Sequence, residues 1–296
     1  MSTTQSAPHT ESAVHAAEAF EFVRSLASEL SSGKVELPSF PDIAVRVQRL
    51  LADVNVTPDR VVRIVGSEPA LAARILTMAN SAALSVAGRQ VTDLRTAIAR
   101  MGFDTLRSAA ITFAMGQLRK AEQYKSLEKQ MSLLWHRSVQ VAAFCFVISK
   151  RHTRLSADTA MLAGLLHGVG KLYILTRAMK HPSLFADQAA YNTIVRDWHG
   201  NIAKALLENW EMAPQIVDAI HGYDDAEREV RGGPSIADVL ASSDMFVSFK
   251  DQPELLAGKL NDFAPAQRLS IDKTASDTIL QNSAEELAAV KAVLGN

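Results

Sequence analysis

The chain has 296 residues, a formal net charge of −1 and one cysteine. That length is ample for a buried core in one large domain or two modest ones. The near-neutral charge gives no overall basic field to draw it to nucleic acid or anionic lipid. The single Cys145 excludes an internal disulfide and a multi-cysteine metal centre, and its apolar setting, Val-Ala-Ala-Phe-Cys-Phe-Val-Ile, suits a buried inert thiol. The N-terminus is polar and carries Glu11, unlike a signal peptide. The longest apolar run, Val139 to Ile148, is interrupted by Gln140 and too short to span a bilayer. These features point to a cytoplasmic protein without membrane insertion.

In chain order, residues 1–12 read as a polar, disordered tail. From Val14 to Leu30, Phe22, Val23, Leu26 and Leu30 follow a helical period that should stop near Gly33. Leu37-Pro38-Ser39-Phe40-Pro41 is a stiff lead-in to a helix with Ile43, Val47, Leu50 and Leu51 on one face. Thr57-Pro58 predicts a capped helix start, and Pro69 another, with Leu71, Ile75 and Met78 inward. Leu94, Ile98 and Met101 form a short helix stopping at Gly102, after which Asp104 can cap the next. The charged stretch Gln117 to Gln130 is the candidate boundary between two sub-bundles. Leu133 to Ile148 is a strongly apolar helix carrying His136, and Ser156 can cap the helix that leads to His167. Asp187 to Val195 is amphipathic and Trp198 to Trp210 continues it; Pro214 opens a helix ending at His221. Gly232-Gly233-Pro234 is a break before the helix carrying Asp244, and Ser283 with Glu286 makes a capping box for a last helix. No period-2 alternation bounded by turns occurs, so the predicted class is all-α.

Ala163 to Leu175, Ala-Gly-Leu-Leu-His-Gly-Val-Gly-Lys-Leu-Tyr-Ile-Leu, holds a histidine between two apolar runs. Glycines at 168 and 170 permit backbone angles closed to other residues, so the chain can turn sharply beside the ring. A buried imidazole needs partners. His167 is then a ligand, a switch or a satisfied core histidine, and the last is the commonest case. Trp135, Phe144, Leu165, Leu166, Ile174 and Trp210 are expected to be buried around it. Gly168-Val169-Gly170-Lys171 is no phosphate loop, because Leu165 and Leu172 occupy its first Gly and final Ser/Thr positions. Arg24, Arg46, Arg49, Arg60, Arg63 and Arg74 are scattered through the N-terminal helices. They read as a solvated face, or, grouped in a concavity, as a site for a nucleotide or an acidic partner.

The central stretch resembles the His-Asp motif of the HD superfamily of metal-dependent phosphohydrolases. The Leu-Pro-x-x-Pro run at Leu37, the Glu-Pro-Ala-Leu-Ala-Ala-Arg helix ending in Ala-Asn-Ser, and Ala-Ile-x-x-Met-Gly-x-Asp-x-Leu-Arg make it more similar to one branch, the HDOD family. The resemblance covers Leu37 to Phe249. It implies an HD-like helical bundle in two packed halves, about 13–118 and 127–249, with 250–296 as a helical extension. It also implies a cleft built from His136, His167, His199, His221 and Asp244, with Gly168 where the family's bridging Asp belongs. Loss of that carboxylate removes the group that would position a metal-bound water. The expected function is a non-catalytic bacterial signal-transduction output module acting on signalling proteins, or on a second copy as a homodimer, with no cofactor. One alternative is a weak metal-dependent phosphohydrolase or phosphodiesterase holding a divalent cation on His136, His167 and Asp244. Another is a sensor of a nucleotide or cyclic-dinucleotide second messenger. Nucleic acid is not an expected partner.

Overall fold

The computed structural model describes residues 8–37, 40–81, 90–225, 233–282 and 284–294, and no strand occurs among them. Residues 1–7 of the expected tail, Pro38, Ser39 and Ser283 lie outside the described residues, and with Ser283 the capping box expected for the last helix. The first helix, α1, is Pro8–Ser31. Residues 8–12 of the expected tail therefore lie in a helix.

Four helices form the smaller hydrophobic cluster: α2 (Asp42–Ala52), α3 (Pro58–Gly66), α4 (Pro69–Ala79) and the first part of α5 (Leu94–Arg119). Thr57 Oγ1 accepts from the Arg60 N–H at 3.4 Å and caps α3, with Pro58 in the first turn. Inside α5, Gly102 adopts φ 75 and ψ 168, a left-handed backbone that only glycine takes without strain. The predicted stop there is a sharp break. Asp104 does not serve as the expected cap partner; its carboxylate accepts from Arg107 at 2.6 Å. Asn80, at the end of α4, donates to the Val91 carbonyl (2.8 Å) and accepts from its N–H (2.7 Å), which clips α4 to the start of α5.

A short 3-10 helix (Glu122–Leu127) leads into α6 (Glu128–His152), α7 (Ala157–Leu166), α8 (Val169–Ala178), α9 (Ser183–Ala186), α10 (Gln188–Asn209), α11 (Pro214–Gly222) and α12 (Ile236–Phe249). These build the larger cluster, which α1 joins through Phe22 and Leu26. The polar stretch Gln117 to Gln130 is not where the two clusters part. They divide within α5, where Ala110 belongs to one and Ile111 to the other. Trp135, Phe144, Leu165, Leu166, Ile174 and Trp210 are all buried in the larger one. So is Cys145, whose thiol pKa burial pushes up to about 12. Glu122–His152 and Ala157–Ala178 are apolar and long enough to cross a membrane, but 61 % and 89 % of their apolar windows are buried inside the bundle.

The extension forms α13 (Pro253–Asn261), α14 (Ala264–Arg268), α15 (Lys273–Asn282) and α16 (Ala284–Leu294). It docks on the second half. Arg268 holds the fully buried Asp238 of α12 through Nε (2.9 Å) and Nη2 (2.7 Å), and Glu286 of α16 pairs with Lys150 (2.6 Å) and Arg151 (3.0 Å) of α6.

Candidate functional site

Two glycines let the helices that carry the site approach one another. A Cβ on Gly164 of α7 would stand 2.6 Å from the Ala142 Cα of α6. A Cβ on Gly170 of α8 would stand 2.0 Å from the His199 carbonyl oxygen of α10. These positions need glycine for space. The expected sharp turn on special backbone angles does not occur. Gly168 has φ −85 and ψ 0, and neither it nor Gly170 is among the positive-φ residues.

His167 caps the end of α7 and is 1 % exposed. Its Nδ1 donates to the Gly164 carbonyl at 2.6 Å, since a carbonyl can only accept. Burial is the main cause that lowers its pKa to about 4, against the pull of Asp244, so the ring is neutral and keeps a lone pair on Nε2. Nε2 lies 3.9 Å from Asp244 Oδ1 on α12. That oxygen already accepts from Arg137 Nη2 of α6 at 2.8 Å, and the same guanidinium donates to Ser248 Oγ at 2.8 Å. His167 is therefore a core histidine held through Nδ1, with its Nε2 lone pair facing an ion pair.

His136, expected as the first ligand, is exposed, and its Nδ1 donates to the Ser132 carbonyl one turn back at 2.6 Å. Met131, Trp135, Ser138, Val139 and Ala142 mark the buried stripe of α6, and His136 lies off it. Arg137, one residue on, reaches Asp244 in its place. His221 is also exposed and meets Asn201 Oδ1 at 3.1 Å. His199 is buried at 3 % exposure, with Nε2 donating to Asp224 Oδ2 at 2.5 Å and Nδ1 without a partner. Burial raises the Asp224 carboxyl, but His199, Lys171 and Tyr223 outweigh it and hold the carboxyl below its usual range. Tyr223 stands between the two histidines, its ring centroid 5.9 Å from that of His167 and 6.3 Å from that of His199. Its hydroxyl accepts from Lys171 at 3.3 Å, and burial drives its pKa well above the usual value.

The site is thus Arg137, His167, Asp244 on one side of Tyr223 and Lys171, His199, Asp224 on the other. Among the described residues, no three His, Cys, Asp or Glu side chains converge as around a metal ion. A Cβ at 168 would meet Ser138 Oγ at 3.0 Å, so a bridging carboxylate there would have to displace that hydroxyl. The donor set present does not fit the metal centre that the resemblance implies. Tyr223, Asp224 and Arg137 were not singled out in the sequence. The helical phase of α6 carried the only signal for Arg137.

Fold and site together define an all-helical, HD-related module. The profile of the HDOD domain family matches residues 37–226, and the chain belongs to that family. It is similar to a Shewanella amazonensis protein provisionally named a metal-dependent phosphohydrolase, at 25 % identity and TM-score 0.71, covering 94 % of this chain and 100 % of that one. A Geobacter sulfurreducens HDOD domain protein of unknown function is 26 % identical at TM-score 0.63, covering 91 % and 97 %. An uncharacterised Treponema pallidum (strain Nichols) protein is 21 % identical over 243 residues; the match covers 76 % of this chain and 45 % of that protein.

Proposed function

We propose that the protein is a non-catalytic regulatory output module that acts through contacts with signalling proteins. The observation that supports this is the Arg137 guanidinium seated 2.8 Å from Asp244 Oδ1. A phosphohydrolase of this architecture needs Asp244 to hold a cation that polarises water. A guanidinium neutralises the carboxylate and cannot ionise water. Gly168 adds no carboxylate to take over. In the purified full-length protein, supplied with manganese, iron or zinc, hydrolysis of phosphomonoesters, nucleotides and cyclic dinucleotides stays at background. Metal-dependent turnover lost in His167→Ala would overturn this.

The second reading is a weak metal-dependent phosphohydrolase. It is favoured by the name of the Shewanella relative and by His167, whose Nδ1–H is fixed on a backbone carbonyl so that the Nε2 lone pair faces Asp244.

A further inference from the structure

We infer that the groove between α2 and α3 is a binding site for a nucleoside polyphosphate, separate from the HD-like cleft. It is an open groove of about 360 Å³ lined by Arg46, Arg49, Arg60 and Arg63, with Asp53 the one carboxylate of the lining and Leu50 and Ile64 as apolar wall. That volume suits a small ligand. Each helix presents two arginines three residues apart, so both pairs lie on the faces that meet across the groove.

The guanidiniums are only partly engaged. Arg60 pairs with Asp53 at 3.1 Å and Arg49 with Glu211 at 3.0 Å, while Arg46 is 3.9 Å from Asp42. Arg63 makes no ion pair with any described carboxylate. A guanidinium carries five N–H donors in a planar fork that matches phosphate oxygens, so several donors remain free to take them. Four such groups around one concavity suit a chain of phosphoryl groups better than a single anion, and the apolar wall suits a base. The Arg49–Glu211 pair ties the groove to the turn between α10 and α11. A polyphosphate competing for Arg49 therefore changes a contact between the two halves of the fold.

The test is calorimetric titration of the full-length protein at low salt with ATP and with GTP, using adenosine, guanosine and inorganic phosphate as controls. One triphosphate binds saturably at one per chain, the nucleosides and phosphate do not, and added salt weakens binding. All four arginines are exposed, so substitution leaves the fold intact. Arg63→Gln and Arg46→Gln each weaken binding by about tenfold, the loss of one charge-assisted hydrogen bond, whereas Arg24→Gln on α1 leaves it unchanged. Absence of saturable binding by both triphosphates would overturn the proposal. So would unchanged affinity in Arg63→Gln and Arg46→Gln, or displacement of the nucleotide by an equal concentration of a polyglutamate peptide. None of these results depends on whether the HD-like cleft is silent.

Discussion

The junction of α6, α7 and α12 and the groove between α2 and α3 both gather charge, and they treat it in opposite ways. At the junction, Asp244 is satisfied by Arg137, and His167 is neutral, 1 % exposed and bonded to its own helix. In the groove the arginines are exposed and hold single carboxylates, or none in the case of Arg63. The Arg137–Asp244 pair is half-buried, and a carboxylate left unpaired beside the buried His167 would cost stability. A charge network at a surface keeps its donors hydrated and exchangeable. The difference says that the junction holds the fold together and the groove is free to bind.

If the helices around His167 are as tightly packed as the glycines indicate, Gly170→Ala, where α8 meets α10, has the largest effect. Its Cβ would fall 2.0 Å from a backbone oxygen that no rotamer change can move. A loss of about 4 kcal/mol, or failure to fold, is expected, well above ordinary overpacking. Gly116→Ala in α5 meets nothing within 4 Å and should be neutral or slightly stabilising by chemical denaturation. Leu166→Ala comes next, at about 2–5 kcal/mol as a buried cavity mutation beside His167; a change below about 0.5 kcal/mol would make α7 peripheral.

The buried histidine gives a pH signature that the groove lacks. The folded pKa of His167 is lowered to about 4 from the ordinary 6.5, so the unfolded chain binds a proton that the folded chain refuses between those values. Stability from this group is fully present above about 6.5 and is lost as pH falls toward about 4. The loss reaches about 2 kcal/mol by pH 5, at roughly 1.4 kcal/mol per unit. Urea midpoints measured from pH 7 to pH 5 should fall more steeply for the native protein than for His167→Gln. The smallest effect belongs to the groove. Arg60→Gln removes an exposed pair with Asp53 and should cost less than about 1 kcal/mol.

Local signals carried much of the fold. Thr57, Ser156, Pro58, Pro69 and Pro214 mark helix starts where the structure has them, and Gly102 marks the break in α5. Each acts within a few residues of chain, so each is readable from neighbours alone. The site was less legible because its contacts join distant segments. Arg137 and Asp244 are 107 positions apart, and nothing local pairs them. His136 was singled out by the resemblance, yet one residue on a helix turns a side chain about 100° around the axis, so Arg137 and not His136 faces α12. The Ser235–Asp238 capping box that opens α12 was locally readable and passed over; its Asp also holds Arg268 of the extension.

A guanidinium holds Asp244 where a metal centre would need that carboxylate. Titration of zinc or manganese into the native protein at pH 7, followed by calorimetry alongside His167→Ala, tests it most directly. No saturable His167-dependent metal site is expected, so the two proteins should titrate alike. One tight equivalent of metal in the native protein, lost in His167→Ala, would show that Arg137 yields the carboxylate and would contradict it.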